Sequence, residues 1–294
     1  MDSPAIQNVL VLVNPISGQG RGRTAVADLQ TAFQKAGLAA DIITLAKPGQ
    51  AAILVNEKAS AYNAVVAVGG DGTICETAAT VHQTGLDMPV GLIPWGLSNC
   101  LARDLNIGPD PDKAAAVIAQ GKTESKDLIL FQGGAALSFV GAGLDAAVVH
   151  KVALQRTGAI TNRAYIRIAL GTISDRPWPV LSVKVDGKLV EGQFYQVILS
   201  GITNYARFFN LPKQDGVWAY LYQGNGPASA IRTLIRGGFR RDLAQAADMK
   251  TPVESSIEIT ASNGDAYFQF DGESGGPLPV TCQIKQRAVR FLAP

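Results

Sequence analysis

An apolar run that ends in a glycine-rich turn is the strongest constraint on the fold. Residues 64–68 are apolar, and the next five, residues 69–73, read GGDGT. The three glycines allow positive φ and leave no side chain in the way of a ligand. Asp71 is expected to hold a metal or a hydroxyl, and Thr73 to bond a phosphate oxygen or cap the next helix. An ordinary strand-to-helix turn also favours these residues, so the motif alone leaves both interpretations open.

Apolar runs alternate with helical patterns through the first half of the chain. The predicted strands are residues 9–13, 41–45, 65–68 and 89–94. Residues 24–35 carry the period of a helix between the first two of them. This alternation predicts a parallel sheet with helices on both faces, whose ligands bind beyond the carboxyl ends of the strands. The turns at residues 14–22 and 69–73 both come after strands, which favours a ligand site there.

Two further turns carry polar residues at predicted strand ends. The turn at residues 14–22 lacks the Gly-Lys-Ser/Thr of a Walker A loop and the glycine spacing of a dinucleotide fingerprint. Its Arg21 and Arg23 either face phosphate or lie in a solvated turn. The third turn reads WGLSN at residues 95–99, and Asn99 either binds nucleotide or caps the helix that begins there.

Chain length, net charge, cysteine content and the length of the apolar segments restrict the class of protein. A chain of 294 residues is long enough for two domains. Its net charge of +2 gives no support to nucleic-acid binding. Three cysteines without paired spacing suit a reducing compartment and favour neither a disulfide framework nor a zinc site. No apolar segment approaches the roughly 20 residues that span a bilayer, and the N-terminus does not read as a signal peptide. We therefore expect a cytoplasmic protein.

The second half of the chain shows the sequence pattern of short antiparallel strands. Residues 181–185 alternate apolar and polar side chains, and Asp186-Gly187 predicts a hairpin turn. The change places a domain boundary near residue 125. Near the C-terminus, Asp271-Gly272-Glu273 either supplies carboxylates for proton transfer or forms a surface hairpin.

A set of arginines at helical spacing is the remaining polar pattern. These are Arg232, Arg236 and Arg240, with Arg241 adjacent. On a helix they form one stripe, which suits anionic lipid headgroups, although a solvated helix face is the commoner explanation.

Together these motifs resemble the diacylglycerol kinase catalytic domain family, which covers bacterial diacylglycerol and other lipid kinases and the sphingosine and ceramide kinases. The matching segments are VNPISG (13–18), VGGDGTICE (68–76), IPWGLSNCLARDL (93–105), FVGAGLDAAVV (139–149), RTGAITNRAYI (156–166), LPKQDGVW (211–218) and FDGESGGPLPV (270–280). In one departure, Leu97 stands where the family usually has threonine. Either Ser98 substitutes for that hydroxyl or the nucleotide affinity is lower.

The resemblance implies a two-domain fold. It assigns residues 1–125 to an α/β nucleotide-binding domain with a parallel sheet and helices on both faces. It assigns residues 126–278 to an antiparallel β-sandwich that binds the lipid substrate, and it returns residues 279–294 to the first domain. The implied active site lies in the cleft between the domains.

The resemblance also implies site residues, with ATP and Mg²⁺ as cofactors. Glu273 is the implied general base, Asp271 a supporting or alternative acid/base, and Asp71 acts through Mg²⁺ and orientation. The candidate nucleotide contacts are Asn14, Pro15, Ser17, Gly18, Thr44, Gly69, Gly70, Asp71, Gly72, Thr73, Glu76, Ser98 and Asn99. The Asp215 side chain and the carbonyls of Pro212 and Val217 form the implied structural Mg²⁺ site, with an ordinary turn as the alternative.

These residues predict an ATP-dependent lipid kinase that phosphorylates a primary hydroxyl of diacylglycerol or a related lipid. The expected partner is a lipid at a membrane surface, with peripheral contact on the inner face and no nucleic acid; a homodimer is compatible with the sequence. One alternative is a catalytically weak or silent nucleotide- or lipid-binding protein, which Leu97 favours. Another is a kinase for a soluble acceptor, as in NAD kinases. Asp71, Asp271 and Glu273 together favour the lipid kinase over a silent protein.

Overall fold

The chain divides into two compact units. The computed structural model describes residues 6–155, 162–174, 178–205, 209–224, 226–238, 242–262 and 266–294. One unit comprises Met1–Leu128 with Arg287–Pro294, and the other comprises Ile129–Gln286. The domain limits that the sequence suggested, a boundary near residue 125 and a return from residue 279, stay predictions.

The first unit alternates strands and helices. In chain order its elements are β1 (Asn8–Val13), α1 (Val26–Lys35), β2 (Ala39–Thr44), α2 (Gln50–Lys58), β3 (Ala64–Gly69), α3 (Asp71–Thr84), β4 (Val90–Pro94), α4 (Cys100–Asp104), α5 (Pro111–Gln120) and the first part of β5 (Thr123–Phe131). Short 3₁₀ helices occupy Ser17–Arg23 and Ala59–Ala61. The alternation predicted from the sequence is confirmed.

A parallel sheet forms the centre of this unit. β1 pairs in parallel with both β2 and β3, and β3 pairs in parallel with β4. In the strand order β4-β3-β1-β2, the chain runs from β1 to β2 on one side and from β3 to β4 on the other, so the switch point lies between β1 and β3. In open α/β sheets, ligands bind beyond the carboxyl ends of the strands at such a switch point. The fold thus directs attention to the turns after β1 and β3.

Helices cover the sheet, which explains its continuous apolar strands. All residues of β3 are buried, as are the last five of β1. Alternate β1 residues, Val9, Val11 and Val13, pack in one cluster with Leu29 and Phe33 of α1 and with residues of α5. α3 packs on β3 and against α2. Strands buried on both faces need no polar alternation.

The second unit is dominated by antiparallel strands. Its elements continue with β6 (Gly134–Ala136), β7 (Phe139–Gly143), α6 (Leu144–Gln155), α7 (Asn162–Ser174), β8 (Leu181–Val185), β9 (Lys188–Ser200), β10 (Asn204–Tyr205), β11 (Phe209–Asn210), β12 (Val217–Gln223), α8 (Pro227–Gly238), α9 (Leu243–Ala246), β13 (Met249–Val253), β14 (Ser256–Ala261), β15 (Tyr267–Phe270), β16 (Glu273–Pro277) and β17 (Val280–Leu292).

The long strand β9 organises these antiparallel pairs. It pairs with β7, β8 and β12, while β15 pairs with β7 and β16. Leu181, Val183 and Val185 of β8 are buried and alternate with less buried polar residues, as the sequence predicted. The predicted antiparallel region is confirmed. None of the described helices has the length and apolar character needed to span a bilayer.

Candidate functional site

The turns after β1 and β3 contact each other at the switch point of the parallel sheet. The Asn14 side chain donates from Nδ2 to Thr73 Oγ1 at 2.9 Å, and its Oδ1 accepts from the Ile16 amide at 3.1 Å. Ser17 Oγ donates to the Asn14 carbonyl at 2.7 Å. These bonds fix the polar residues of the first turn against the start of α3. The structure therefore brings the first two predicted turns together.

The glycines of the GGDGT turn allow close packing, and none of the three has positive φ. Gly70 has φ −91°, and Gly72 lies within the helix α3. A Cβ on Gly69 would lie 2.8 Å from Thr73 Oγ1, and a Cβ on Gly70 would lie 3.1 Å from Gly96 Cα. Positive φ occurs instead at Gly18 of the first turn, at +60°.

The third turn joins the other two through backbone and side-chain bonds. The Trp95 amide donates to the Gly69 carbonyl at 2.8 Å, and the Gly18 amide donates to the Trp95 carbonyl at 2.6 Å. Asn99 has φ +48°, and its side chain folds back to accept from the Gly96 amide at 2.8 Å. Asn99 therefore stabilises its own turn and makes no side-chain cap to α4, contrary to the capping interpretation.

Packing accounts for the aromatic and basic residues beside these turns. Trp95 is buried, and its indole N–H donates to the Pro109 carbonyl at 3.0 Å. The Arg21 guanidinium lies over the Trp95 ring, 4.7 Å from its centroid. This cation–π contact places Arg21 next to the first and third turns. Arg23 is exposed, at the end of the 3₁₀ helix.

Asp71 connects the second turn to the third. Its Oδ1 accepts from the Cys100 amide at 2.8 Å, at the start of α4. Burial raises the pKa of Asp71, and the backbone amides of Cys100, Asn99 and Leu101 lower it by less. The carboxylate therefore positions the third turn, whatever else it binds. Its role at a metal stays a prediction.

The remaining candidate nucleotide contacts lie around these three turns. Glu76 Oε1 accepts from the Ala52 amide at 3.0 Å, which ties α3 to the first turn of α2. Thr44 ends β2 opposite Val13, at the same edge of the sheet. Pro15 and Ser98 are partly buried. All thirteen assignments to nucleotide stay predictions.

The turn that contains Asp271 lies in the second unit and is held by the backbone of residues 137–139. Asp271 Oδ2 accepts from the Leu137 amide at 3.0 Å. Its Oδ1 accepts from the amides of Ser138 and Phe139, each at 2.9 Å. Both oxygens are thus engaged as acceptors, which favours a positioning role over proton transfer. Glu273 comes directly after Gly272 and is exposed, as proton exchange with a substrate requires.

A buried polar network behind this turn was not predicted from the sequence. Gln269 Oε1 accepts from the Gly272 amide at 3.1 Å, and Gln269 Nε2 donates to Asp145 Oδ2 at 3.1 Å. The Tyr205 hydroxyl donates to the same Asp145 oxygen. Burial raises the pKa of Asp145 more than these hydrogen bonds lower it. The one available signal was that Asp145 is the single charged residue in the apolar run 139–149.

His150 lies beside the same turn. Its Nδ1 is 3.1 Å from Ser274 Oγ, and its ring stacks on Tyr267 with centroids 3.8 Å apart. The other histidine, His82, has its Nδ1 3.2 Å from the Ala288 carbonyl oxygen. Both rings have partners among the described residues.

The loop that contains Asp215 offers oxygen donors for Mg²⁺. Asp215 and Pro212 are exposed, Gly216 has φ +73°, and Val217 begins β12. The Asp215 backbone carbonyl accepts from the Trp218 indole N–H at 3.0 Å. The Asp215 carboxylate is the side-chain group that would coordinate the ion. One carboxylate with backbone carbonyls is a set that Mg²⁺ accepts. Across the described residues no three His, Cys, Asp or Glu side chains form a metal cluster, and the Mg²⁺ site stays a prediction.

Some sequence features fall outside the described residues. Arg240 and Arg241 of the arginine pattern do so, as do residues 156–161 of the RTGAITNRAYI segment. The suggested catalytic cleft between the two domains also stays a prediction.

Comparison with known proteins agrees with the resemblance that the motifs suggested. Residues 8–131 match the model of the diacylglycerol kinase catalytic domain. A protein from Staphylococcus aureus (strain bovine RF122 / ET3-1), named diacylglycerol kinase, is 22% identical over 97% of this chain and 91% of its own length. The crystal structure of a diacylglycerol kinase from Bacillus anthracis has a TM-score of 0.76 and 21% identity, and covers 99% of this chain and 98% of its own. The last match shows the fold of the whole chain, and the first shows that residues 8–131 are similar to the diacylglycerol kinase catalytic domain.

Proposed function

We propose that this protein is an ATP-dependent kinase that phosphorylates a hydroxyl of diacylglycerol or a related lipid. The observation that carries the proposal is the meeting of three polar turns at the carboxyl ends of β1, β3 and β4. They meet beside the switch point and at the N-terminus of α3, a helix of 14 residues. The catalytic-domain match and the name of the Staphylococcus aureus relative support the same class of reaction.

The first part of the mechanism is phosphate binding by the first unit. The backbone amides at the N-terminus of α3 and the helix dipole favour an anion there. Thr73 Oγ1 already accepts from Asn14, so its hydroxyl hydrogen is directed to another acceptor. The proposed acceptor is a phosphate oxygen of ATP. The close approach of Gly70 and Gly96 keeps side chains out of this part of the turns.

The second part is proton transfer by Glu273. The acceptor hydroxyl gives its proton to the Glu273 carboxylate, and its oxygen forms a bond to the γ-phosphorus. The bond from that phosphorus to the β-phosphate oxygen breaks, and ADP leaves. Asp71 is the residue that would hold Mg²⁺ there, and the ion would offset the charge of the phosphates. Asp271 and Gln269 hold the turn that presents Glu273.

The test is transfer of labelled phosphate from γ-labelled ATP to a total lipid extract, with identification of the product. We expect a labelled phospholipid with the wild type. Glu273→Gln should lower kcat by about 10²–10⁴-fold, because general-base catalysis is lost, while ATP still binds. Glu191→Gln is the matched control, since Glu191 is also exposed in the second unit, and should leave kcat unchanged.

Two results would contradict the proposal. Normal turnover by Glu273→Gln removes the assigned base. Failure of the wild type to bind Mg-ATP favours the silent lipid-binding protein instead. That second candidate is supported by Leu97, which is 74% exposed in the third turn and brings no hydroxyl to it.

A further inference from the structure

The strand that presents Glu273 is weakly held by its own sheet. Glu273 begins β16, the last strand in the order β16-β15-β7, so β15 is the strand that holds it. The pairing of β15 with β16 shifts register between Phe268 and Gln269, and β16 contains Gly275 and Gly276. A register shift interrupts the ladder of hydrogen bonds, and glycines leave a strand with more backbone freedom. The position of Glu273 therefore depends on contacts from outside the sheet.

The helix α6 makes such a contact on one side of Glu273. Asp145 lies in the first turn of α6, and its Oδ2 accepts from Gln269 Nε2 at 3.1 Å. Gln269 Oε1 in turn accepts from the Gly272 amide at 3.1 Å. These two bonds connect the helix to the residue just before Glu273.

His150 of the same helix makes a contact on the other side. Its Nδ1 lies 3.1 Å from Ser274 Oγ, and its ring stacks on Tyr267 with centroids 3.8 Å apart and planes inclined by 13°. The stack uses the face of the imidazole, and the hydrogen bond to Ser274 uses its edge. A hydroxyl can donate or accept, so this bond forms with either tautomer of the ring. The two contacts together fix both the position and the rotation of the ring.

We propose that His150 is a positioning residue for the base of the phosphoryl transfer, an inference that rests on the proposed role of Glu273. Residues on both sides of Glu273 are anchored to α6, and His150 anchors Ser274. Loss of that anchor frees one end of the segment and moves the carboxylate away from its productive position. Misplacement of a catalytic group slows the chemical step, while ATP binding by the first unit stays as it is.

The experiment separates the two functions of the imidazole. His150→Phe keeps an aromatic face for the stack and removes the hydrogen bond, whereas His150→Asn keeps a polar group near the place of Nδ1. We expect His150→Phe to lower kcat about ten-fold without changing the KM for ATP, because the base is misplaced. His150→Asn should recover most of that loss. Steady-state transfer from γ-labelled ATP to the total lipid extract measures both variants.

A double-mutant cycle with Ser274→Ala tests whether the two side chains act through their mutual contact. Ser274→Ala should lower kcat about as much as His150→Phe, and the double variant should lose no more than either single variant. The matched control is His82→Phe in the first unit, because the Nδ1 of His82 also has an oxygen at hydrogen-bond distance, the Ala288 carbonyl at 3.2 Å. This control should keep the wild-type kcat, and circular dichroism checks that all variants are folded.

Hydrogen exchange of backbone amides tests the anchor without ATP or lipid. In His150→Phe, the amides of residues 272–276 should exchange about five-fold faster than in the wild type, as the loss of one hydrogen bond predicts. In His82→Phe, their exchange should not change. This measurement depends on the contact of His150 with Ser274 and not on any catalytic activity.

The results distinguish failure of this inference from failure of the proposed function. If the wild type phosphorylates lipid and His150→Phe keeps the wild-type kcat, the inference is overturned and the proposed function stands. Additive losses in the cycle, or a loss in His150→Asn as large as that in His150→Phe, would also overturn it, since His150 would then act through another contact. If the wild type transfers no phosphate, the proposed function fails, and unchanged exchange in His150→Phe would overturn the anchor as well.

Discussion

Two Asp-Gly turns in the second unit have the same local structure, although only one carries a candidate catalytic residue. Asp186 and Asp271 have φ +49° and +47°, and each precedes a glycine with positive φ. The carboxylate of Asp186 accepts from the amides of residues 254–256, just as that of Asp271 accepts from residues 137–139. In both turns the aspartate amide donates to the carbonyl of the last of those three residues.

The two turns differ in their supporting contacts and in the residue after the glycine. Two residues before Asp271, Gln269 is buried and bonds both the Gly272 amide and Asp145. Two residues before Asp186, Lys184 is exposed and pairs with Glu258 at 3.3 Å. The residue after the glycine is Glu273 in one turn and Lys188 in the other. The anchored aspartate is therefore common to both turns, and the Asp271 turn is distinguished by Glu273 and by the network behind it.

Neutralising the two aspartates should separate structure from activity most clearly. We expect Asp271→Asn to lower kcat about 10²-fold, because a misplaced turn moves Glu273 away from its productive position. Asp186→Asn, which perturbs an equivalent turn, should leave kcat unchanged. Steady-state kinetics of both variants with ATP and the lipid acceptor measures this. Equal losses of kcat would show that the two turns do not differ in function.

Removing the support behind the Asp271 turn should have a smaller effect. Gln269→Leu leaves the Gly272 amide without its acceptor and breaks the link to Asp145, so we expect kcat to fall about ten-fold. The KM for ATP should not change, since Gln269 lies in the second unit. The control is Lys184→Leu at the equivalent place in the other turn. Unchanged kcat in Gln269→Leu would mean that the network does not position Glu273.

The fold was predictable from the sequence because its signals are local. Continuous apolar runs marked the buried parallel strands, and the alternation at residues 181–185 marked an exposed face on β8. The strand order that creates the switch point depends on pairings between distant strands. The sequence could place turns at strand ends, but not show that Asn14 bonds Thr73, 59 residues away.

The network behind Glu273 was out of reach for the same reason. Gln269 and Asp145 are 124 residues apart, and the amides that bind Asp271 lie more than 130 residues before it. An Asp-Gly pair predicts a turn, but its neighbours in sequence do not say which backbone amides its carboxylate will meet. The sequence also could not show how the turn uses Gly69 and Gly70, because close packing between turns requires glycine just as positive φ does.

The charge of Asp186 should contribute stability with a defined pH dependence. Desolvation raises the pKa of Asp186, but hydrogen bonds from residues 254–256 outweigh it and lower the pKa from 3.8 to about 2. The stabilisation is therefore complete above pH 3.8 and is lost as pH falls through about 2. Because the group is largely solvated, we expect Asp186→Asn to cost only about 1 kcal/mol at neutral pH.

Urea unfolding of the wild type and Asp186→Asn across this pH range measures that difference. The free energies of unfolding should differ by a constant amount at neutral and mildly acidic pH, and they should converge as the wild-type carboxylate becomes protonated. A difference that grows towards low pH would contradict the assigned sign.

The two glycines provide the finest test of whether the turns are alike. Gly187 and Gly272 have φ +79° and +87°, and a Cβ on either would meet no atom within 4 Å. Alanine at each position should therefore cost only the strain of the left-handed conformation, about 1 kcal/mol. Thermal and urea unfolding should give the same loss for Gly187→Ala and Gly272→Ala to within a few tenths of a kcal/mol, the usual precision of such comparisons. A clearly larger loss at Gly272 would mean that the bond from its amide to Gln269 depends on that backbone geometry, and the turns would then differ in structure as well as in function.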